Sequence, residues 1–388
     1  MSWNRGGQFV SAPPSAASLS FVVPGVPESN VAYELTLAGL RRLLHRRAAG
    51  GLRVSLDNFD GSRLVLITSD TTVVGSLSQR TRRNGRRAAQ LNRDLAVREL
   101  DVVTGVNHRL ISVAPILADV EKQIVAARAS IGQSDALLAT DDVQGAFDHA
   151  TLARSSLAQL RRSRWQQVAD VWDSLTGEPQ AVSFATLPQH WTFAKALGNG
   201  RVGPNLLYGG DFENLSRTLE AGWQHFEFPQ PGVTTDVELS PDDPRLGSFS
   251  LQLRARAETA AEPPHLVATP PVWVTSPPVR VPAGQLVRIS GWVRVSEPIK
   301  GSVDGLLIID SLGGPALAER IGQSHEWREF TLYRKAAKPS EVTVTFALSG
   351  LGEAQLDGVT IQNVDLVADG IEREARRDGN RIYPPLGQ

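Results

Sequence analysis

The chain has 388 residues, too many for one ordinary core and enough for two or three domains of roughly 150 residues each. Hydrophobic residues make up 41% and charged residues 21%, which excludes wholesale disorder. Forty basic against forty-one acidic residues leave a net charge of -1, which argues against a dedicated nucleic-acid or anionic-membrane binder. The absence of cysteine removes disulfides, zinc-thiolate sites and thiol nucleophiles together.

Residues 1–18 are rich in Ser, Ala, Gly and Pro and read as a flexible lead-in without the apolar stretch of a signal peptide. The chain is therefore expected to be cytoplasmic or the downstream part of something larger. Residues 19–70 alternate in short apolar runs broken by Pro24-Gly25, Asp57-Asn58 and Asp60-Gly61, and predict four or five strands of a partial β-sandwich.

Over 71–175 the period changes to helical. Ala88, Leu91, Leu95, Val102, Val106 and Leu110 share one face. Leu117, Val120, Ile124, Ala127 and Ile131 repeat the spacing, as do Val143, Ala146, Ala150, Ala153, Leu157 and Leu160. Asp141 with Gln144 resembles a capping box, and Pro115 suits a first turn. The pattern predicts an antiparallel three-helix bundle, through which the chain could oligomerise. The arginines between Arg80 and Arg109 lack interleaved aromatics and read as a solvated face rather than a nucleic-acid patch. No run is long and apolar enough for membrane insertion.

Residues 176–204 read as a linker, with Pro188, His190, Trp191, Phe193 and Leu197 packing on a neighbour. From 205 to 366 a two-residue period dominates, and eight or more strands predict a jelly-roll β-sandwich. Residues 367–388 form a polar tail. The expected class is multi-domain α+β: partial β-sandwich, three-helix bundle and C-terminal jelly roll.

No zinc-protease, nucleophile-elbow, phosphate-loop or dinucleotide motif is present, and the seven histidines show no paired ligand spacing. Asp304 and Asp310 could share a strand face, but Gly305 makes Asp304 a turn residue. The most informative run is Asn205-Leu206-Leu207-Tyr208-Gly209-Gly210-Asp211-Phe212-Glu213, followed by Trp223. Gly247-Ser248-Phe249-Ser250-Leu251-Gln252-Leu253 follows, and Ala354-Gln355-Leu356-Asp357-Gly358-Val359-Thr360-Ile361 answers near the end. The first and last strands of a jelly roll lie side by side, so Glu213 and Asp357 can converge at one edge. Two carboxylates with backbone carbonyls from a Gly-rich turn suit Ca²⁺, unless they cap turns or pair with arginine instead.

These residues resemble the CenC-type carbohydrate-binding modules of families 4, 9 and 22. The resemblance implies a galactose-binding-like jelly roll, and a structural Ca²⁺ held by Glu213 and Asp357 with Asp211. It also implies a polysaccharide or glycan partner. Sugar binding needs exposed aromatic faces. Trp223, Trp292 and Trp327 are expected in the core, Trp273 is the best exposed candidate, and Tyr208, His225, Phe226 and Phe228 rank below it. Residues 19–68 resemble the small β-sandwich that follows the catalytic barrel of bacterial glycoside hydrolases. Together the resemblances imply a non-catalytic carbohydrate-binding or accessory module of a bacterial carbohydrate-active or cell-surface protein, in an extracellular, periplasmic or surface setting. The alternatives are the C-terminal part of a glycoside hydrolase whose barrel lies upstream, and a scaffold without a glycan ligand.

Overall fold

The computed structural model describes residues 16–366, apart from 60, 61, 173, 175 and 260–262, and has a mixed α+β architecture. The expected polar tail and most of the expected lead-in lie outside these residues. Contacts divide the chain into one unit running to residue 171 with 182–188, and a second comprising 172–181 with the residues from 189 on.

The first unit opens with six strands: β1 (Ala16–Val23), β2 (Val31–Leu35), β3 (Leu40–Arg42), β4 (His45–Ala48), β5 (Gly51–Phe59) and β6 (Leu64–Thr68). They form two antiparallel three-stranded sheets, ordered β1-β5-β4 and β3-β2-β6. The alternation Leu52, Val54, Leu56 in β5 puts all three side chains into one small core with Ala32 and Leu43. Beside it the carboxylate of Glu34, 2% exposed, is neutralised by Arg41 and, at 3.4 Å, by Arg63.

Three helices follow: α1 (Thr71–Leu110), α2 (Val120–Ala139) and α3 (Val143–Ala169), which pack on one another. The buried faces of α2 and α3 largely follow the expected stripes. That of α1 follows its expected stripe only at Val106 and Leu110. Its buried side is Gly85, Ala89, Asn92, Ala96, Leu100, Val103, Val106, Asn107 and Leu110, while Leu91, Leu95 and Val102 face solvent. Small residues admit close helix approach, and Asn92 is held by Phe147 O, Thr151 Oγ1 and Arg154, so these contacts outweigh the leucine stripe. The capping expectation shifts by one residue. Asp142, not Asp141, caps α3 by accepting from Gly145 N at 2.9 Å. Asp141 has φ 63° and pairs with Arg86. Pro115 lies in the 111–119 connection and not in a first turn.

In the second unit, the part of α4 (Leu187–Leu197) from Gln189 on leads into β7 (Arg201–Asn205), α5 (Leu215–Ala221), β8 (Gln224–Glu227), β9 (Val233–Ser240) and β10 (Ser250–Ala257). Then come β11 (Val272–Thr275), β12 (Val279–Val281), β13 (Leu286–Arg294), β14 (Lys300–Asp310), β15 (Glu319–Ile321), β16 (Arg328–Lys335), β17 (Ser340–Val342) and β18 (Val344–Asp365). Ten of these strands form one antiparallel sheet folded over a shared core, and β12 pairs with β17 separately. β18 joins the layers. Its first part pairs with β11 and β14, its middle with β10, and its last part with β13 and β7. The strand passes from one layer to the other at Gly350 and Gly352, whose φ of 139° and 157° disfavour side chains. A Cβ at Gly350 would also stand 2.6 Å from Lys300 O.

The stretch read as a linker is structured. Gly177 O accepts from Tyr333 N at 2.5 Å, adding a backbone contact to β16, and a Cβ at Gly177 would stand 2.4 Å from Thr331 O. Ser174 and Thr176 donate to Glu319 at 2.6 and 2.5 Å. Arg334, 3% exposed, pairs with Asp310 at 2.8 Å and donates to the carbonyls of Thr176 and Gly177. Trp172, His190 and Phe193 close around Tyr333 or one another, and buried His190 meets Glu178 at 3.0 Å.

Candidate functional site

Strand register determines which side chains share the outer face of the layer built from β8, β11, the first part of β18, β14 and β15. Val272, Val274, Phe346, Leu348, Leu306 and Ile308 enter the core. Alternation therefore sends Trp273, Ala347 and Leu307 to the other side. The pairings Phe226↔Trp273, Trp273↔Ala347, Ala347↔Leu307 and Leu307↔Arg320 align five residues in one row across five strands. At one end Phe226 and Trp273 lie nearly parallel, with ring centroids 5.6 Å apart at 15°. Phe226 is 40% exposed and Trp273 half-buried. One step along, the hydroxyls of Thr275 and Thr345 meet at 2.9 Å. At the far end Arg320 is tied to Asp304 at 2.8 Å. The row spans about 19 Å at the usual strand spacing.

His225 is not part of this row. It pairs with Val274, whose side chain enters the core, and its ring meets Glu227 at 3.4 Å on the face opposite Phe226. Tyr208 is 77% exposed on the 206–214 loop. Its carbonyl accepts from Trp223 Nε1 at 2.9 Å, and its ring does not stack on Trp273. The residue beside Trp273 is Phe226, which the sequence ranked lower because a four-residue strand carries too little pattern to settle its parity.

The outer face of the other layer is closed by charge. Arg254 meets Glu238, Glu353 at 3.0 Å and Asp236 at 3.8 Å. Trp292 and Trp327, expected in the core, lie here half-buried. Arg245 sits 4.1 Å above Trp292, Arg294 lies 5.4 Å from Trp327, and Trp327 Nε1 donates to Asp243 O. Register explains the difference: Trp292 alternates with core residues Val293 and Ile289, and Phe330 fills the interior instead. Trp223 is buried against Phe212, with centroids 4.9 Å apart.

The Asn205–Glu213 run is shaped by its contact with β18. Asn205 Oδ1 accepts from Ile361 N and Leu207 N, and Val359 N donates to Gly210 O. A Cβ at Gly210 would stand 2.1 Å from Val359 O, so only glycine fits. Glu213 and Asp357 then hold the same 245–249 loop. Glu213 accepts from Ser248 N at 2.9 Å and Phe249 N at 3.2 Å, while Asp357 Oδ2 accepts from Leu246 N at 2.7 Å. Gly247, at φ 62°, packs against the Glu213 carboxylate where any Cβ would collide.

Asp357 is fully buried and its Oδ1 has no hydrogen-bond partner, nor has the Oγ of buried Ser250. Burial first, and the charge of Glu213 second, hold the Asp357 carboxyl above its ordinary range, against the pull of backbone amides. Asp211 is exposed. Among the described residues no group of three His, Cys, Asp or Glu side chains converges. Both carboxylates accept from backbone amides of the 245–249 loop, which is the turn-capping arrangement the sequence left open beside a cation site. Asp304 and Asp310 are held apart, Arg320 taking the first and Arg334 the second; Asp304 lies within β14 and not in a turn, because Gly305 at φ 70° is absorbed as a register shift against β18.

No protein-family model and no curated protein matches the chain. Among solved structures, it is similar to the Clostridium thermocellum endo-1,4-beta-D-xylanase 10B fragment of carbohydrate-binding and catalytic modules, complexed with xylohexaose. Identity is 15%, coverage 42% of this chain and 29% of that one, and the TM-score 0.28. It thus spans under a third of that structure. Bacteriophage CBA120 tailspike protein 4 follows at 16% identity, 41% and 21% coverage, and a TM-score of 0.27. The xylan-binding CBM22-1 domain of Paenibacillus barcinonensis Xyn10C is also 16% identical, with 42% and 96% coverage and a TM-score of 0.27.

Proposed function

We propose that this chain is a non-catalytic accessory protein whose C-terminal jelly roll binds a polysaccharide on the row from Phe226 to Arg320. A three-helix bundle and a small N-terminal β-sandwich serve as its spacer. The reading rests on one observation: Trp273 and Phe226 form a nearly parallel, partly exposed aromatic pair on an outer sheet face, and among the described residues no arginine or lysine lies over it. Pyranose rings present C–H faces that stack on such rings, while flanking hydroxyls and a charged pair meet sugar hydroxyls. Thr275, Thr345 and the Arg320–Asp304 pair supply those groups along a row long enough for several linked sugars. The opposite layer offers no equal surface, since arginines already occupy Trp292 and Trp327. Affinity gels cast with soluble polysaccharides test the reading. Retardation on at least one polymer, reduced about tenfold or more in Trp273→Ala or Phe226→Ala, is expected. Passage of the parent protein through every polymer unretarded would overturn it.

A second element is a structural Ca²⁺ at Glu213 and Asp357, with Asp211 at the exposed margin. The spare buried Oδ1 of Asp357 supports it. A bound cation would relieve the repulsion between the two carboxylates and pin the 245–249 loop to β18. Chelator should lower the melting temperature and added Ca²⁺ restore it; an unchanged melt refutes the site.

A further inference from the structure

A cavity of about 470 Å³ opens beside the last turns of α1, the 111–119 connection, the start of α2 and α3. This volume lies within the range of ligand pockets, about 300–1,000 Å³. Leu110, Ile111, Ile116, Leu117, Val120 and Ile124 make its walls apolar. The polar groups at its base are Arg164, Asn107 and Thr104.

Arg164 is 4% exposed. Its Nε donates to Asn107 Oδ1 at 2.9 Å, and its Nη1 to Pro115 O at 3.0 Å and Gln167 Oε1 at 3.1 Å. Every one of these acceptors is neutral. Among the described residues no carboxylate lies within 4 Å of the guanidinium, and Nη2 has no hydrogen bond. Burial alone acts on the group, pulling its pKa down, whereas Arg41 and Arg254 are surrounded by carboxylates that push theirs up. Thr104 Oγ1 is a buried polar atom here with no partner. Asp119 and Glu121 also line the cavity, but both are exposed residues beside Lys122 and His108, so the mouth is close to balanced while the base carries one uncompensated positive charge. A buried cation without a counter-charge is costly, and a site that keeps one is built to receive an anion.

We propose that this cavity binds a small carboxylate with an apolar body. The carboxylate takes Arg164 Nη2 and Thr104 Oγ1 as donors, and the aliphatic or aromatic part fills the space between the walls. The charge selects carboxylates over alcohols and amines, and the walls select apolar bodies over sugars or amino acids. The site is independent of the proposed glycan face.

Calorimetric titration of the full chain with sodium decanoate, 1-decanol and decyltrimethylammonium tests the inference. Decanoate should bind saturably at one site, with 1-decanol and the cation at least about tenfold weaker. Arg164→Met should lose about tenfold or more in decanoate affinity. Because Arg164 also holds Asn107 and the 115 carbonyl, Ala114→Trp provides an independent variant that fills the cavity from its wall, and it should abolish binding without altering the circular dichroism. No saturable decanoate binding below about 1 mM, equal binding of the alcohol, or an unchanged affinity in either folded variant would overturn the proposal.

Discussion

Replacing Arg334 by methionine isolates the electrostatic clamp between the 172–181 segment and the β-sandwich-like sheet. Arg334 and Asp310 are 3% and 0% exposed, and Arg334 Nε reaches Asp310 Oδ2 at 2.8 Å. Its remaining donors go to the carbonyls of Thr176 at 2.9 Å, Gly177 at 3.0 Å and Leu317 at 3.2 Å. Removing one partner of a buried pair costs about 3–5 kcal/mol, mostly because the other charge is left unpaired. Asp310 retains Leu312 N at 3.0 Å and Gly313 N at 2.6 Å, so the expected loss is in the lower part of that range, about 3 kcal/mol. Asp310→Asn in the Arg334→Met background removes the stranded charge and should recover about 1–2 kcal/mol, the coupling expected of residues in direct contact. Urea unfolding followed by tryptophan fluorescence measures both, since Trp172 lies 5.9 Å from Tyr333 and reports on the segment. Hydrogen exchange should show the amides of 172–181 losing protection first. A cost below about 1 kcal/mol for Arg334→Met, or no recovery in the double variant, would refute the assignment of this pair as the clamp.

Asp357 provides a pH test. Its folded pKa lies above the ordinary 3.8, so the folded state holds this proton more tightly than the unfolded chain. Stability from this group is therefore greatest in acid and is lost as pH rises from the unfolded value through the raised folded one. Asp357→Asn should flatten that slope and, in chelator at neutral pH, melt no lower than the parent. It should also gain less from added Ca²⁺; a steeper slope or equal Ca²⁺ response would contradict the reading. At the start of α3, Asp142→Ala should cost about 1 kcal/mol by removing the cap on Gly145, whereas Asp141→Asn should stay within about 0.5 kcal/mol, as measured by thermal melts. The reverse order would return the cap to Asp141.

Period alone located the strands beyond residue 205 and the three helices, because each repeats over enough residues to average out local exceptions. It misplaced what depends on partners. The buried side of α1 is rotated away from Leu91 and Leu95, since Gly85, Ala89 and Ala96 allow the close approach that leucines prevent. Trp292 and Trp327 read as core because they sit in strong strand patterns, but a strand pattern does not say which of its two faces is inside. The same parity ambiguity hid Phe226 behind His225. The 172–200 stretch has no period, and what orders it is a set of single long-range contacts to Tyr333, Arg334 and Glu319 that no local pattern encodes. Glu213 and Asp357 hold one loop, 245–249, and the glycines near them have a physical reason the sequence alone does not give: Gly210 admits the backbone of β18 and Gly247 the Glu213 carboxylate.

The route of β18 has a consequence for biosynthesis. Before residues 344–365 are translated, the described strands of the C-terminal lobe form only separate couples, β8 with β11, β9 with β10, β12 with β17, β13 with β16 and β14 with β15, and no ladder joins one couple to another. A ribosome that has not yet translated β18 thus carries a nascent lobe with unpaired edges and open apolar faces, the condition in which chains associate wrongly. The 22 residues of β18 seal it in one step, so the lobe should form as an all-or-none event, and a ribosome stalled before β18 would deliver a client for chaperones rather than a smaller working lobe.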